Sequence, residues 1–439
     1  MTFRRLIAIG LCGLVIAAAP GPAWAGENEM MDALIHKLVD KGVLTREEAR
    51  EIRQEVAEEI GKSGKSREAD AKDLMKKEMS NMIANAKWSG DLRLRHETQR
   101  REPAVDRSRE RFRLRLGFTT KPVDPLEIGV RIATGASGDP VSTNQSFTNT
   151  FDKKAVFFDM AYAKYSPFKW ANFIGGKMEN PFVTIPENIV WDGDVTPEGV
   201  AMQLKSQKPV PILDRWLPVT PFLNAGGFVI SELSNDAGDP ALFGFQSGID
   251  VELPWWQAIF QPSVAYYNFS GIKGVTTANV ANSPAGNTTI TEGASRKFAT
   301  DYDIVAWQSK LSIPSLFGQP VNVLADYTFN NEENQTSDEA NVDDGAGYVA
   351  GVEVGKVTEK FGSWKAYYFR KWLESDAAFG AIADSDFGAG GTNHKGHIFG
   401  VQMGLNKWAS VGLRYLRTDE IEGTQNRVDT LQADTVVKF

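Results

Sequence analysis

Arg111-Phe112-Arg113-Leu114-Arg115-Leu116-Gly117-Phe118 alternates charge and grease without a break. Side chains in a strand point to opposite faces in turn, so four apolar residues share one face and three arginines and a glycine share the other. Leu126, Ile128, Val130 and Ile132 alternate in the same way against Glu127, Gly129, Arg131 and Ala133. At the far end Leu431, Ala433, Thr435, Val437 and Phe439 alternate with Gln432, Asp434, Val436 and Lys438.

A soluble sandwich alternates too, and the connectors decide between the two. The pattern predicts strands at 88–97, 110–120, 125–134, 154–165, 169–178, 198–206, 220–231, 240–253, 257–269, 301–313, 319–330, 346–357, 363–373, 396–405, 408–418 and 429–439. Most are near the nine to eleven residues that a tilted membrane strand needs. The connectors between them run long, short, long, short. Short ones include Lys121 to Asp124, Ser166 to Lys169, Pro254 to Trp256 and Asn406-Lys407; long ones include Gly271 to Thr300 and Asn331 to Gly345. Short turns on one side and long loops on the other are the plan of an outer-membrane barrel. Gln207 to Val219 breaks the rule, being long where a short turn is due. Trp88, Trp170, Trp255, Trp256, Trp307, Phe317, Trp364 and Trp408 fall near predicted strand ends, as an interfacial aromatic girdle does. The expectation is therefore an all-β transmembrane fold: an up-and-down antiparallel barrel of about sixteen strands over 87–439.

The remaining chain fits that expectation. Arg4 and Arg5, the apolar run Leu6 to Ala19 and Ala23-Trp24-Ala25 read as a signal peptide at 1–25, cleaved after Ala25. After it no run of eighteen apolar residues occurs, so no transmembrane helix is expected. The one cysteine, Cys12, lies in that leader, which leaves no disulfide or thiolate site downstream. Residues 26–86 are charged and helical in period, with Leu34, Ile35, Leu38 and Val39 on one stripe and a capping box at Thr45 and Glu48. They predict a short periplasmic helical or coiled-coil segment. A net charge of −8 argues against nucleic acid as a partner. With four histidines and no Ser/His/Asp grouping, no catalytic site, metal site or cofactor is expected.

The phrase Lys41-Gly42-Val43-Leu44-Thr45-Arg46-Glu47-Glu48-Ala49 is followed by Gly90-Asp91-Leu92-Arg93-Leu94-Arg95. Phe158-Asp159-Met160-Ala161-Tyr162, Gly175 to Phe182 and the ending Asp429 to Phe439 complete a plan that resembles the bacterial "putative porin" family over nearly all of the exported chain. The resemblance implies a sixteen-stranded porin-like barrel in the outer membrane of a Gram-negative cell. It also implies passive diffusion of small hydrophilic solutes and ions, with assembly as a homotrimer and outer-membrane lipid and lipopolysaccharide as partners. The terminal Phe439 resembles the signal read by the barrel-insertion machinery.

The lumen of such a barrel is wet, so inward side chains are expected to be polar. Arg93, Arg95, Arg111, Arg113, Arg115 and Arg131 share the face away from the apolar band and form a basic ladder on one wall, with Glu127 and Asp159 as available structural partners. Met178 to Pro197 is the expected constriction loop, and Glu179, Glu187, Asp192, Asp194 and the adjoining Glu198 are its acids. Acids opposite a basic wall set up a transverse field, and walls of charge select ions. Two other readings stand beside diffusion: an anion- or phosphate-selective channel, from the ladder, and a structural tether from outer membrane to peptidoglycan through 26–86.

Overall fold

The computed structural model describes residues 86–439 except 213–216, 234–237, 281–284, 333–344 and 424–425, together with the isolated helical positions Arg46, Glu47, Arg50 and Gln54. The expected leader at 1–25, and the rest of the expected helical segment at 26–86, lie outside the described residues.

The main sheet has eighteen strands, of which Gln145–Ser146 and Val210–Ile212 are two and three residues long. The other strands are β1 Lys87–Glu102, β2 Arg107–Val123, β3 Leu126–Thr134, β4 Val156–Phe168, β5 Ala171–Lys177, β6 Glu198–Lys205, β7 Leu217–Val229 and β8 Ala241–Leu253. They continue as β9 Ala258–Ser270, β10 Tyr302–Leu316, β11 Gln319–Asn330, β12 Ala346–Gly355, β13 Trp364–Leu373, β14 His394–Gly404, β15 Ala409–Glu420 and β16 Arg427–Lys438. Each pairs antiparallel with the next, and β16 pairs with β1 from Asp91↔Lys438 to Glu102↔Arg427. The barrel is closed and leaves no long free edge. This lets strands cross lipid, where an unpaired backbone group costs several kcal/mol.

The C-terminus completes the closure. Phe439 N donates to Gly90 O at 3.0 Å, and Gly90 N donates to Phe439 O at 2.8 Å. A Cβ on Gly90 would lie 2.6 Å from the Phe439 ring, so only glycine admits the terminal aromatic there.

All sixteen expected strands are present, with shifted ends. The first outer connector shrinks to 103–106, because β1 and β2 run on past the predicted limits and pair as far as Gln99↔Arg107. The irregular stretch 207–219 is an enlarged turn: Val210–Ile212 folds back to pair with Leu217–Val219, lengthening β7 at its start. Outward apolar side chains such as Leu94, Phe245 and Leu413 are about half exposed, at 50%, 56% and 52%. A soluble protein does not leave a continuous belt of this kind in water. Trp88, Trp170, Trp256, Phe317, Trp364 and Trp408 stand exposed at the short-turn end. Trp307 departs from that girdle, since it lies within β10, paired with Tyr327.

One expectation of the alternation is corrected by the interior. Inward positions of the wall from β8 to β15 are not uniformly polar. Leu242, Tyr267, Phe269, Tyr302, Ile304, Leu324, Val349, Phe369, Ile398 and Leu416 are buried there. They pack against Phe182, Ile189 and Trp191 of the third outer loop (178–197) and Phe379 and Phe387 of the seventh (374–393). The physical reason is that these loops fold into the barrel and displace water from that wall, so apolar residues on it gain burial as in a soluble core.

Candidate functional site: a charged passage between two walls

The third outer loop crosses the barrel. Near its start Gln203 Nε2 of β6 donates to Pro181 O at 2.8 Å, and Val183 N donates to Gln246 Oε1 of β8 at 2.8 Å. Farther on, Asn188 Nδ2 donates to Asp326 of β11 at 2.8 Å, and Lys371 Nζ of β13 donates to Asn188 O at 3.2 Å. Glu187 meets Arg414 of β15 at 2.6 Å, and Asp194 reaches Arg113 and Arg115 of β2 at 3.7 and 3.5 Å. Contacts with β8, β11, β13, β15 and then β2 place one loop against opposite walls. The rigid strands hold it by polar side chains that the alternation points inward.

The seventh outer loop seats on it. Ser385 N donates to Asp192 Oδ2 at 2.8 Å, and Asp192 N donates to Ile382 O at 2.7 Å. Its acids Asp384 and Asp386 gather basic residues from three strands. Arg414 lies 3.0 Å from Asp386, Arg95 lies 3.1 Å from it, and Lys371 lies 3.3 Å from Asp384. Burial alone raises a carboxyl, yet Arg95, Arg414 and Arg93 together hold Asp386 well below the usual carboxylate range. Asp192 goes the other way. Burial, and then the neighbouring Asp384 charge, push it up to about 8, against the lowering effect of the N–H groups of Asp194 and Ser385.

The six arginines of the ladder all turn toward the interior, each with a partner there. Arg95 grips Asp434 of β16 with two parallel bonds, Nε to Oδ1 at 2.7 Å and Nη2 to Oδ2 at 2.9 Å. Arg113 and Arg115 each bond Asp91 at 2.7 Å. Arg111 lies 3.4 Å from the buried Glu97, and Arg131 is bonded to Asp159. Arg93 differs: its one hydrogen bond is from Nη2 to Asn144 Oδ1 at 2.6 Å, and among the described residues no carboxylate lies within ion-pair distance. The ladder is thus mostly neutralised by acids on adjacent strands, and Arg93 is its uncompensated charge.

The five loop acids divide. Glu187 and Asp194 are drawn inside to basic groups, and Asp192 is held inside by the N–H groups of Asp194 and Ser385. Glu179 is exposed at the base of the loop. Glu198 begins β6 on the outward parity, beside exposed Val200, and pairs with Lys177 at 2.8 Å. A strand begins at Glu198, so alternation and not loop position fixes where its side chain points.

Sequence reading missed Asp384, Asp386, Lys371 and Arg414. The available signal was Lys371 between inward Phe369 and Leu373, and Arg414 beside inward Leu416, since a charge there demands a partner. The loop supplying that partner has no strand period to register it.

A family model described as "Putative porin" matches residues 99–303 and 298–439. Among solved structures the chain is similar to OprB of Pseudomonas putida at high pH, with a TM-score of 0.50, 11% identity, and coverage of 82% of this chain and 96% of that one. It is also similar to OmpF of Salmonella typhi in complex with daunomycin (TM-score 0.46, 11% identity, 81% and 97% covered). The outer membrane channel DcaP of Acinetobacter baumannii gives a TM-score of 0.45 at 14% identity, with 81% and 98% covered. At such identities the likeness to OprB extends to the fold alone. A comparison with curated proteins found no match. A closed barrel with an inward-folded third loop, and a family match over most of the chain, make the protein an outer-membrane channel: it belongs to the "Putative porin" family.

Proposed function

We propose that the protein passes small hydrophilic ions and solutes by diffusion through a narrow passage between the arginine wall of β1–β3 and the acids of the third and seventh outer loops. The observation that carries this reading is Asp194. It hangs from a loop, yet lies within 3.5 to 3.7 Å of Arg113 and Arg115 on the wall. Opposite charges so fixed side by side at the edge of a lumen favour polar solutes that align with their field and disfavour apolar ones. Because the ladder and its acids nearly cancel, ion selectivity is weak. A second reading, preference for anions or phosphate, is favoured by Arg93, whose charge has no carboxylate at hand.

The rest of the assignment belongs to the same proposal. The leader is removed after Ala25, Phe439 is read by the insertion machinery, the barrel assembles as a homotrimer in outer-membrane lipid, and residues 26–86 contact peptidoglycan. The test is single-channel conductance of the refolded chain in planar bilayers, with the reversal potential taken in a salt gradient. Stepwise conductance with a small anion-directed reversal potential supports the proposal. A folded barrel that conducts nothing shows that the inward loops close the lumen and refutes it. If deleting 26–86 abolishes envelope attachment and leaves conductance intact, that segment is the tether and the barrel the channel.

A further inference from the structure

We propose that Asn287 of the fifth outer loop (271–301) is a specificity-determining residue of the channel, a positioning residue that fixes Asp384 and Asp386 by clasping the two limbs of the seventh loop. The inference rests on the passage proposed above. Residues of an outer loop usually meet water, yet Asn287 is 5% exposed. Its amide has two N–H groups and one carbonyl oxygen, and all of them engage the seventh loop. Nδ2 donates to Ser375 O at 2.7 Å and to Ala378 O at 2.8 Å, and Oδ1 accepts from Gly380 N at 2.8 Å. The flanking residues repeat the grip: Thr392 N donates to Ala285 O at 2.9 Å, and Thr288 N donates to Asp376 Oδ1 at 3.1 Å. Ala285 to Thr288 thus lie between the outgoing limb at 375–380 and the returning limb at 391–392. The fit is close, since a Cβ on Gly380 or on Gly391 would collide with Ala285 O. Aspartate in place of Asn287 has no N–H for the two carbonyls.

The clasp matters for ions because of what lies between the limbs. Gly380 and Thr392 bracket Asp384 and Asp386, which meet Arg95, Arg414 and Lys371 in the barrel. Those ion pairs alone do not fix the acids, because long side chains with many rotamers can follow a moving carboxylate. A backbone pinned on both sides does fix them. Phe379 packs against Phe298 and Tyr302, each at 5.6 Å between ring centroids, and Phe387 is buried. These rings keep the loop within the barrel, so loss of the clasp lets the acids swing without leaving. The returning limb has a shape to relax into as well. Gly388, Ala389, Gly390 and Gly391 are all left-handed, with φ of 66°, 70°, 105° and 88°, and alanine disfavours that conformation. Its pinned end at Thr392 holds the limb there.

The test is the reversal potential of single channels of the folded full chain in a dilute potassium chloride gradient, with heat modifiability checked on the same preparations. N287A leaves Ser375 O, Ala378 O and Gly380 N without their partner. An acid that moves from about 5 to about 10 Å from a permeating ion in water loses half its effect, a change of about twofold for each sign of ion. The anion-to-cation permeability ratio therefore rises about fourfold for each acid so displaced. A merely structural loosening has no reason to depend on the acids, so the deciding sample is N287A placed in D384N/D386N. There it shifts the ratio less than about twofold, because both changes act through the same charges. If N287A does not fold, T392V carries the same measurement. It removes the hydroxyl that donates to Ser375 O at 2.7 Å, keeps the side-chain volume, and moves the ratio in the same direction. A parent chain that conducts nothing refutes the passage itself. A conducting parent whose ratio ignores both N287A and T392V overturns the clasp. So does an undiminished shift in N287A/D384N/D386N, which places the effect away from the two acids.

Discussion

Replacing Asp194 with Asn isolates one charge in the passage. Asp194 accepts from Thr143 N at 3.2 Å and Thr143 Oγ1 at 2.9 Å, and asparagine keeps an acceptor for them, so the loop retains its seat. What changes is the balance. Arg113, Arg115, Asp91 and Asp194 form a cluster of two cations and two anions. D194N leaves it one positive charge in excess; R113Q/R115Q leaves two negative. One charge 5 Å from a permeating ion in water is worth about 0.8 kcal/mol. That lowers the barrier for one sign of ion about fourfold and raises it about fourfold for the other. The anion-to-cation permeability ratio should therefore rise by up to about sixteenfold in dilute salt, where the Debye length is about 30 Å. In 1 M salt it is about 3 Å, and the same charge should alter the ratio less than about twofold. The assay is the reversal potential of single channels in a tenfold gradient, at both concentrations. R113Q/R115Q should move it toward cations by more than D194N moves it toward anions. Unchanged reversal potentials for both variants in dilute salt would refute the reasoning, for then ions do not pass this cluster.

Other expectations follow from the same geometry. Unheated protein should run faster than boiled protein on a denaturing gel, because the closed barrel resists detergent; equal mobility of the two samples contradicts closure. Deleting Phe439 removes both bonds to Gly90 and should lower membrane yield, with protein accumulating in the periplasm; normal yield shows that the terminus is not read. Asp192 has a raised pKa, so its contribution to the seam between the third and seventh loops is fully present below about pH 4 and is lost as pH rises through about 8. Asp386 is shifted downward, so its contribution is lost only in acid, and D192N should therefore flatten the rise in third-loop proteolysis between pH 5 and 9. Arg414→Met strands Glu187, Asp384 and Asp386 without their shared cation, a cost of about 3–5 kcal/mol, and should appear as a lower thermal midpoint and noisier open channels.

The barrel was legible because its code is local. A period of two and the alternation of short and long connectors place every strand, and the alternation fails at 103–106, where an outer connector is short, and where a turn carries its own small hairpin at Val210–Ile212. The ladder was legible for the same reason: Arg111, Arg113 and Arg115 need only strand parity to be sent inward. Two partners of the ladder were not: Asp434 lies 339 residues from Arg95, and Asp386 lies 291 from it. Pairing across a closed barrel depends on registers that no window of sequence contains. The apolar inner wall was hidden too, because Tyr267 and Phe269 read as strand residues whose inward face should be wet. Nothing near them in the chain announces that Phe182 and Phe379 arrive from two loops to cover them.

That covered wall bears on how the channel selects. A loop hanging free in water would average its charges over many positions, and its acids would contribute only a diffuse field. Here the third loop is fixed by apolar burial of Ile189, Val190 and Trp191 and by polar bonds to Gln246, Asp326 and Lys371. Asp194 is held at one end of that anchored segment and Glu187 within it. The grease on one wall is thus what gives the charges on the other wall a stationary counterpart. Substitutions that loosen the apolar wall, well away from any ion path, should act on selectivity by letting Asp194 leave Arg113 and Arg115. They should then resemble D194N in the direction of their effect without altering any charge.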